Sequence, residues 1–328
     1  ITVAVGKEAV ENRERTITQA LEGKFQNGEW KGKRVVIAVD GGRTRIRVPK
    51  KRGRKPKGKK RRRFDAEWRE PKLMVAYVID EEGNRERSYP VVLDGTLENA
   101  DAVFRLMVGH LRLMGVDEAA ELIIVGDGAR WIWNRIDALV RGVGIDVKRV
   151  TAVVDFYHAV EHLHDVADLR RSWSKRQRKL WVTKHRKLLR DGKVEQVTAA
   201  IKKLCKGRRS KKMTTELNYF IRNTERMRYK QFESRGIPMG SGAVESAVRR
   251  VVNLRMKGNS IFWLEENAES FLHLRCAYKA GRWRERILDV INGRLAQAIA
   301  AASPDNVAEL HERSSRSRAT KRVSRKAA

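Results

Sequence analysis

The chain has 328 residues, enough for one large domain or two ordinary ones with an ample core. Its 72 lysines and arginines against 40 aspartates and glutamates leave a net charge of +32, which points to a polyanionic partner, nucleic acid first. The sequence has no apolar run of about eighteen residues, no signal-peptide core and only two widely separated cysteines, Cys205 and Cys276. These features argue against a membrane span, a secreted disulfide framework and a cysteine zinc site, so a cytoplasmic, nucleoid-associated protein is expected.

The chain opens on Ile1 rather than methionine, which leaves room for a missing upstream segment, and residues 1–32 read as a lead-in whose helix ends near Gly23. From Lys33 the pattern turns to strands. Arg34–Asp40 is an apolar run, Gly41-Gly42 suits a tight hairpin turn, and Thr44–Val48 alternates. A basic loop over 49–63 follows: Lys50–Arg63 carries eleven basic residues in fourteen, with no acid and nothing apolar to bury. Such a segment is expected to stay solvated. A second hairpin is predicted from Leu73–Asp80 and Glu86–Leu93, turning at Glu81-Glu82-Gly83-Asn84.

Asn99–Met114 has the spacing of an amphipathic helix, Leu122–Asp127 reads as a buried strand, Trp131–Val140 as a second helix and Val150–Asp155 as a further strand. Residues 33–155 therefore run βββ, α, β, α, β. Residues 156–235 are helical, tryptophan-bearing and very basic. Gly236–Gly240 then breaks the chain, and the segment 236–260 carries Glu245 on a helix. Helical periodicity returns over 261–312, and 313–328 is a basic tail expected to order only on nucleic acid. The predicted fold class is α/β: a mixed five-stranded sheet flanked by helices, interrupted by a basic all-helical insertion, with C-terminal helices.

Asp40 and Asp127 each close an apolar strand just before a glycine, and Glu245 stands just inside a helix behind Gly240-Ser241-Gly242. Phosphodiester chemistry needs an activated oxygen nucleophile and stabilised charge at phosphorus and at the leaving oxygen, which two Mg²⁺ ions about 4 Å apart supply. Three carboxylates from separate elements suffice to hold such ions, with Mn²⁺ able to substitute. Each residue also has a plainer reading. Asp-Gly at a strand end suits a turn, and Glu245 with Arg249 at i,i+4 suits a surface ion pair.

At the end of the last predicted strand stands Asp155-Phe156-Tyr157-His158. With VVIAVDGGRTRIRV, VGDGARWIW, VVDFYHAVEHL and GIPMGSGAVESAVRRVVNLRMKG, it makes the chain resemble a bacterial insertion-sequence transposase of the DDE type, in the broad group related to Mutator-like elements. The likeness covers roughly 33–275. It implies an RNase H-like core in which Asp40, Asp127 and Glu245 are the catalytic, metal-binding triad, with Asp155 and His158 as accessory residues of a (Cys/Asp)-x-x-His motif. Many such enzymes carry a lysine or arginine seven residues after the glutamate. Here that position is Val252, and Arg249 takes its place as the phosphate-contacting candidate. The resemblance further implies double-stranded DNA partners, namely element terminal inverted repeats and target DNA, with cutting of element ends and transfer of the 3′-OH strand. Joining two ends requires a homodimer or higher oligomer on DNA. A metal-dependent DNA nuclease without strand transfer and a non-catalytic DNA-binding descendant remain as alternatives.

His158-Ala159-Val160-Glu161-His162 also matches H-x-x-E-H, the helical zinc motif of inverted metalloproteases, although no separate downstream acidic ligand stands out. Ordinary histidines at a polar helix start are the plainer reading. For DNA contact, Arg52-Gly53-Arg54-Lys55-Pro56 resembles an AT-hook core, against a nonspecific phosphate-gripping loop. Trp173 and Trp181 share a helical face among Lys175, Arg176 and other cations, suited to stacking on unpaired bases or to helical core.

Overall fold

A computed structural model describes residues 3–23, 28–50, 55, 57–58, 63–205 and 210–301. Helix α1 (Val3–Leu21) leads into strand β1 (Arg34–Gly41), then β2 (Thr44–Pro49), β3 (Phe64–Arg69), β4 (Lys72–Ile79) and β5 (Val92–Thr96). Helix α2 (Ala100–Leu113) precedes β6 (Glu121–Gly126), and α3 (Arg130–Trp133) and α4 (Ile136–Val143) precede β7 (Val150–Val154). Then come α5 (Phe156–Asp168), α6 (Lys175–Arg190), α7 (Val194–Leu204), α8 (Lys211–Arg222), α9 (Tyr229–Ser234) and α10 (Gly242–Val248). The latter runs into a π-helical turn over Arg249–Asn253, followed by α11 (Glu265–Lys279) and α12 (Trp283–Ala301).

The main sheet has the order β5-β4-β1-β6-β7. β4 is antiparallel to β1 and to β5, whereas β6 is parallel to β1 and to β7, so the sheet is mixed. The central strands β1 and β6 are apolar on both faces and buried throughout their middles, as strands covered on both sides must be. Parallel pairing of β1 with β6, Ala38 opposite Val125, brings both strands to their ends on the same edge of the sheet.

The predicted α/β class and the mixed five-stranded sheet are present, but one expected pairing is wrong. β1 and β2 do not form a hairpin. β1 already has β4 and β6 on its two edges, and a Cβ on Gly42 would come within 2.9 Å of Val252, so the chain must leave the sheet beneath the α10 segment. β2 instead pairs with β3, a strand absent from the sequence reading, in a separate two-stranded sheet. The second hairpin does form: its turn closes at the predicted place, with Ile79 bridged to Arg85 and Glu86 N donating to Val78 O (3.0 Å), but the chain then loops out over 87–91 and regular pairing resumes only with Ala76 opposite Val92. The helix expected over Trp131–Val140 is split into α3 and α4 around Asn134-Arg135.

The N-terminal and C-terminal helices are tied to the sheet through one buried carboxylate. Asp94 on β5 accepts from Arg13 Nη1 of α1 (3.3 Å) and from Gly95 N, and pairs with His110 Nε2 of α2 (2.9 Å) and His273 Nδ1 of α11 (3.3 Å). Burial works against its charge, but Arg13 and the two imidazoles overcome it and hold the carboxyl well below the usual range. Arg13 also donates to Gly95 O and Glu269, so four elements meet on one buried ion pair. Removing one partner of such a pair strands the other's charge, which costs about 3–5 kcal/mol. Asp94→Ala is therefore predicted to lower the urea midpoint by that amount of stability with an unchanged m-value; a change below about 1 kcal/mol would show that the network is not what fastens α1 and α11.

Candidate active site

Three elements bring Asp40, Asp127 and Glu245 to one place. Asp40 ends β1, Asp127 follows β6 on the neighbouring strand, and α10, which carries Glu245, packs over β1 and β4. Asp40 Oδ1 accepts from the N–H of Gly41 (2.7 Å), and Asp127 Oδ1 accepts from the N–H of Ala129 (2.8 Å) at the start of α3. Burial pushes the Asp40 carboxyl up to about 6; Asp127 and Glu245 push the same way, while Gly41 N–H and His158 oppose them. Asp127 and Glu245 thus both lie near enough to Asp40 to disfavour its charge.

Asp155 is the hub beside it. Its Oδ1 caps α5 by accepting from the N–H groups of Tyr157 (2.6 Å) and His158 (3.0 Å). Its Oδ2 accepts the Ser241 hydroxyl (2.6 Å) and the Ser241 N–H, and the same hydroxyl lies 2.7 Å from Glu245 Oε1. A hydroxyl has one proton to donate, so Ser241 serves Asp155 or Glu245 in turn and holds both carboxylates around one oxygen. Fully buried, with both oxygens engaged, Asp155 acts as a bracket, not as an open ligand. His158, on the first turn of α5, places Nε2 3.8 Å from Glu245 Oε1. Burial disfavours its charge, but Asp155, Glu161, Asp127 and Glu245 together raise its pKa.

A second bracket comes from α8. Tyr219 Oη donates to the Asp127 carbonyl oxygen (3.1 Å), and its ring lies so close to Gly128 that a Cβ there would stand 2.5 Å from Cε2. With φ at +86°, Gly128 is fixed by both backbone conformation and space. Neither Ser241 nor Tyr219 was singled out from the sequence. Ser241 lay inside the quoted Gly-Ser-Gly segment, where a hydroxyl four residues before a glutamate was the available signal; Tyr219 had none, being ninety-two positions from Asp127.

Other predicted residues fall elsewhere. Arg249 is exposed, opens the π-helical turn and makes no ion pair with Glu245 among the described residues. Trp173 and Trp181 do not share a helical face, because Trp173 lies in the bend before α6; their rings lie 6.0 Å apart and pack on the core, with Trp181 stacked on His185, so they are engaged by the protein instead of presented to bases. Lys175 and Arg176 are exposed on the first turn of α6, and Lys55 is exposed; Arg52, Arg54 and the tail 313–328 lie outside the described residues.

The H-x-x-E-H histidines do not act as a pair. His158 Nδ1 meets Glu161 (3.0 Å), and His162 Nδ1 meets Glu216 on α8 (2.6 Å) while stacking on Tyr219. Among the described residues, the group whose ligand atoms all close within 4.8 Å is His162, Asp165 and Glu216, not the three carboxylates at the sheet edge. Ligands shared between two ions about 4 Å apart need not all approach one another so closely. Comparison with family models, with curated proteins and with solved structures finds no match.

The raised Asp40 pKa has a consequence for stability. Above pH about 6 the carboxyl is charged in both folded and unfolded chains, and the folded state bears the burial and like-charge penalty. Below its ordinary value of 3.8 it is protonated in both, and the penalty disappears. In EDTA, Asp40→Asn is thus predicted to melt about 2 °C or more above the parent at pH 7.5, with the difference vanishing as pH falls from about 6 towards 4; a variant less stable at neutral pH would mean that the carboxylate is stabilising there.

Proposed function

We propose that this protein is a metal-dependent DNA-cleaving and strand-transferring enzyme, a DDE transposase with an RNase H-like core. The observation that carries the reading is a charge imbalance. In a chain of 72 cationic side chains, three carboxylates meet at one sheet edge, and His158 is the sole cationic partner found for any of them among the described residues. An ordinary surface would have recruited lysine or arginine to such a cluster; leaving it open suits oxygen-ligated divalent cations. The strand order, with three antiparallel members followed by two parallel crossovers, supports the RNase H-like core. The helices from α5 to α9, rich in lysine and arginine, interrupt that core between β7 and α10 and support the reading of a basic insertion.

Asp40, Asp127 and Glu245 would hold Mg²⁺. Bound there, such ions would supply activation of the attacking oxygen and neutralisation of charge on the phosphate and leaving oxygen. The chain's own residues do the rest. Asp155 and Ser241 fix the side chain of Glu245, Tyr219 fixes the loop of Asp127, and His158 places its Nε2 beside Glu245. Hydrolysis and strand transfer differ only in whether water or a DNA 3′-OH attacks, so the same site serves both.

The test is nicking of supercoiled plasmid, and joining of 3′-OH ends cut from the DNA that flanks the coding sequence. Asp40→Asn, Asp127→Asn and Glu245→Gln are each predicted to lower Mg²⁺-dependent cleavage by about a hundredfold or more, with DNA affinity in EDTA nearly unchanged because binding is spread over many cations. Near-parental cleavage by Glu245→Gln would remove it from the triad. Stoichiometric zinc in the purified protein that disappears in His162→Ala, with cleavage absent throughout, would favour the metalloprotease reading.

A further inference from the structure

The two-stranded sheet of β2 and β3 emerges directly after Asp40 and is not needed to complete the main sheet. Antiparallel pairing sets Arg45 opposite Trp68 and Arg47 opposite Ala66, so these residues share one face of the ribbon. Thr44 and Ile46 turn to the other face and are buried. A third extended segment borders β2, through Arg47 N to Trp263 O (2.7 Å) and Trp263 N to Arg45 O (3.0 Å), and it adds Phe262 to the arginine face.

On that face the guanidinium groups lie against rings. Arg43 and Arg45 stand 5.3 and 5.5 Å from the centre of Trp68, Arg45 stands 4.5 Å from Phe262, and Arg47 stands 4.5 Å from Phe64. Trp68 is nevertheless 51 % exposed. Arg45 is anchored through one Nη to the Gly258 carbonyl, and none of the three arginines takes part in an ion pair among the described residues, although carboxylates are close in sequence at Asp65, Glu67 and Glu70. Strand alternation sends Asp65 and Glu67 to the opposite face.

A guanidinium stacked on a ring keeps its N–H edge free for paired contacts to phosphate or guanine, and the stacking removes the rotamer freedom that binding would otherwise have to freeze. An antiparallel ribbon is also of a width that the major groove of B-form DNA admits. We infer that the arginine-aromatic face of the β2–β3 ribbon binds double-stranded DNA next to the cut site. Arg43 stands three residues beyond Asp40, so a duplex held along this face leads to the carboxylates. The nature of the partner rests on the function proposed above. Duplex is favoured over single strand because two guanidiniums already lie over Trp68, leaving the ring less able to accept an unpaired base.

The test uses the full chain in EDTA, where no cleavage occurs, with a fluorescent duplex of mixed sequence and the matching single strand, read by anisotropy between about 50 and 200 mM salt. Arg43→Ala, in which an exposed side chain is removed, and the Arg43→Ala/Arg47→Ala pair are compared with Lys175→Ala/Arg176→Ala, which removes the same charge from α6. The ribbon pair is expected to weaken duplex binding about tenfold and to lower the slope of log K against log salt by about 1.8, or about 0.9 for each phosphate no longer neutralised. The α6 pair is expected to do less. Trp68→Phe should abolish part of the tryptophan fluorescence change seen on duplex addition. Unchanged affinity and slope in both Arg43→Ala and the ribbon pair, equal weakening by the α6 pair, or tighter binding of the single strand would each overturn the inference. The two claims separate cleanly: duplex binding that vanishes with the ribbon arginines, in a protein that never cleaves DNA with Mg²⁺, would sink the phosphoryl-transfer reading and leave the ribbon as a DNA grip.

Discussion

Burial of Asp40 beside two further carboxylates, Asp127 and Glu245, is the constraint around which the proposed site is arranged. Two of the three come from the ends of adjacent parallel strands, and the third from a seven-residue helix laid across them. Left alone, such carboxylates would turn towards water, or take up protons as Asp40 does more readily than usual, chiefly because it is buried and to a lesser degree because Asp127 and Glu245 lie near it. The surroundings prevent the first outcome. Asp155, through Ser241, gives Glu245 a hydroxyl to rest on, and Tyr219 holds the backbone that carries Asp127. Because Tyr219 belongs to α8, the basic helices do more than present charge; they close one wall of the site.

Much of this was legible in the sequence, and the residues show why. Apolar runs ending in Asp-Gly marked β1 and β6, and Asn99 marked the start of α2, where its side chain indeed accepts from Ala102 N (3.0 Å). What failed was pairing. Gly41-Gly42 has the composition of a hairpin turn, but turn chemistry is local, whereas the close approach of Val252 to Gly42 comes from a helix some two hundred residues away. β3 went unseen because five of its six residues are exposed, so no burial pattern distinguished it from the basic loop before it. Trp173 and Trp181 were expected on one helix face, and they do pack together, but Trp173 stands in the bend before Ser174 caps α6, so the pair is not made by helical spacing.

The site's nearest competitor is also electrostatic. His162, Asp165 and Glu216 bring ligand atoms together more tightly than the three carboxylates do. Yet the 2.6 Å approach of His162 to Glu216, with the imidazole stacked on Tyr219, already satisfies two of the three side chains without an ion. Asp40, Asp127 and Glu245 have no comparable mutual satisfaction, and that difference is why we propose the ends of β1 and β6 as the place for a divalent cation.

Crystals grown with Mn²⁺ and measured at the manganese absorption edge would test this most directly, since anomalous scattering locates the ion without reference to activity. The account predicts anomalous density at the carboxylates of Asp40, Asp127 and Glu245 that disappears in Asp127→Asn. Density confined to His162, Asp165 and Glu216, or none at the sheet edge at saturating Mn²⁺, would contradict it.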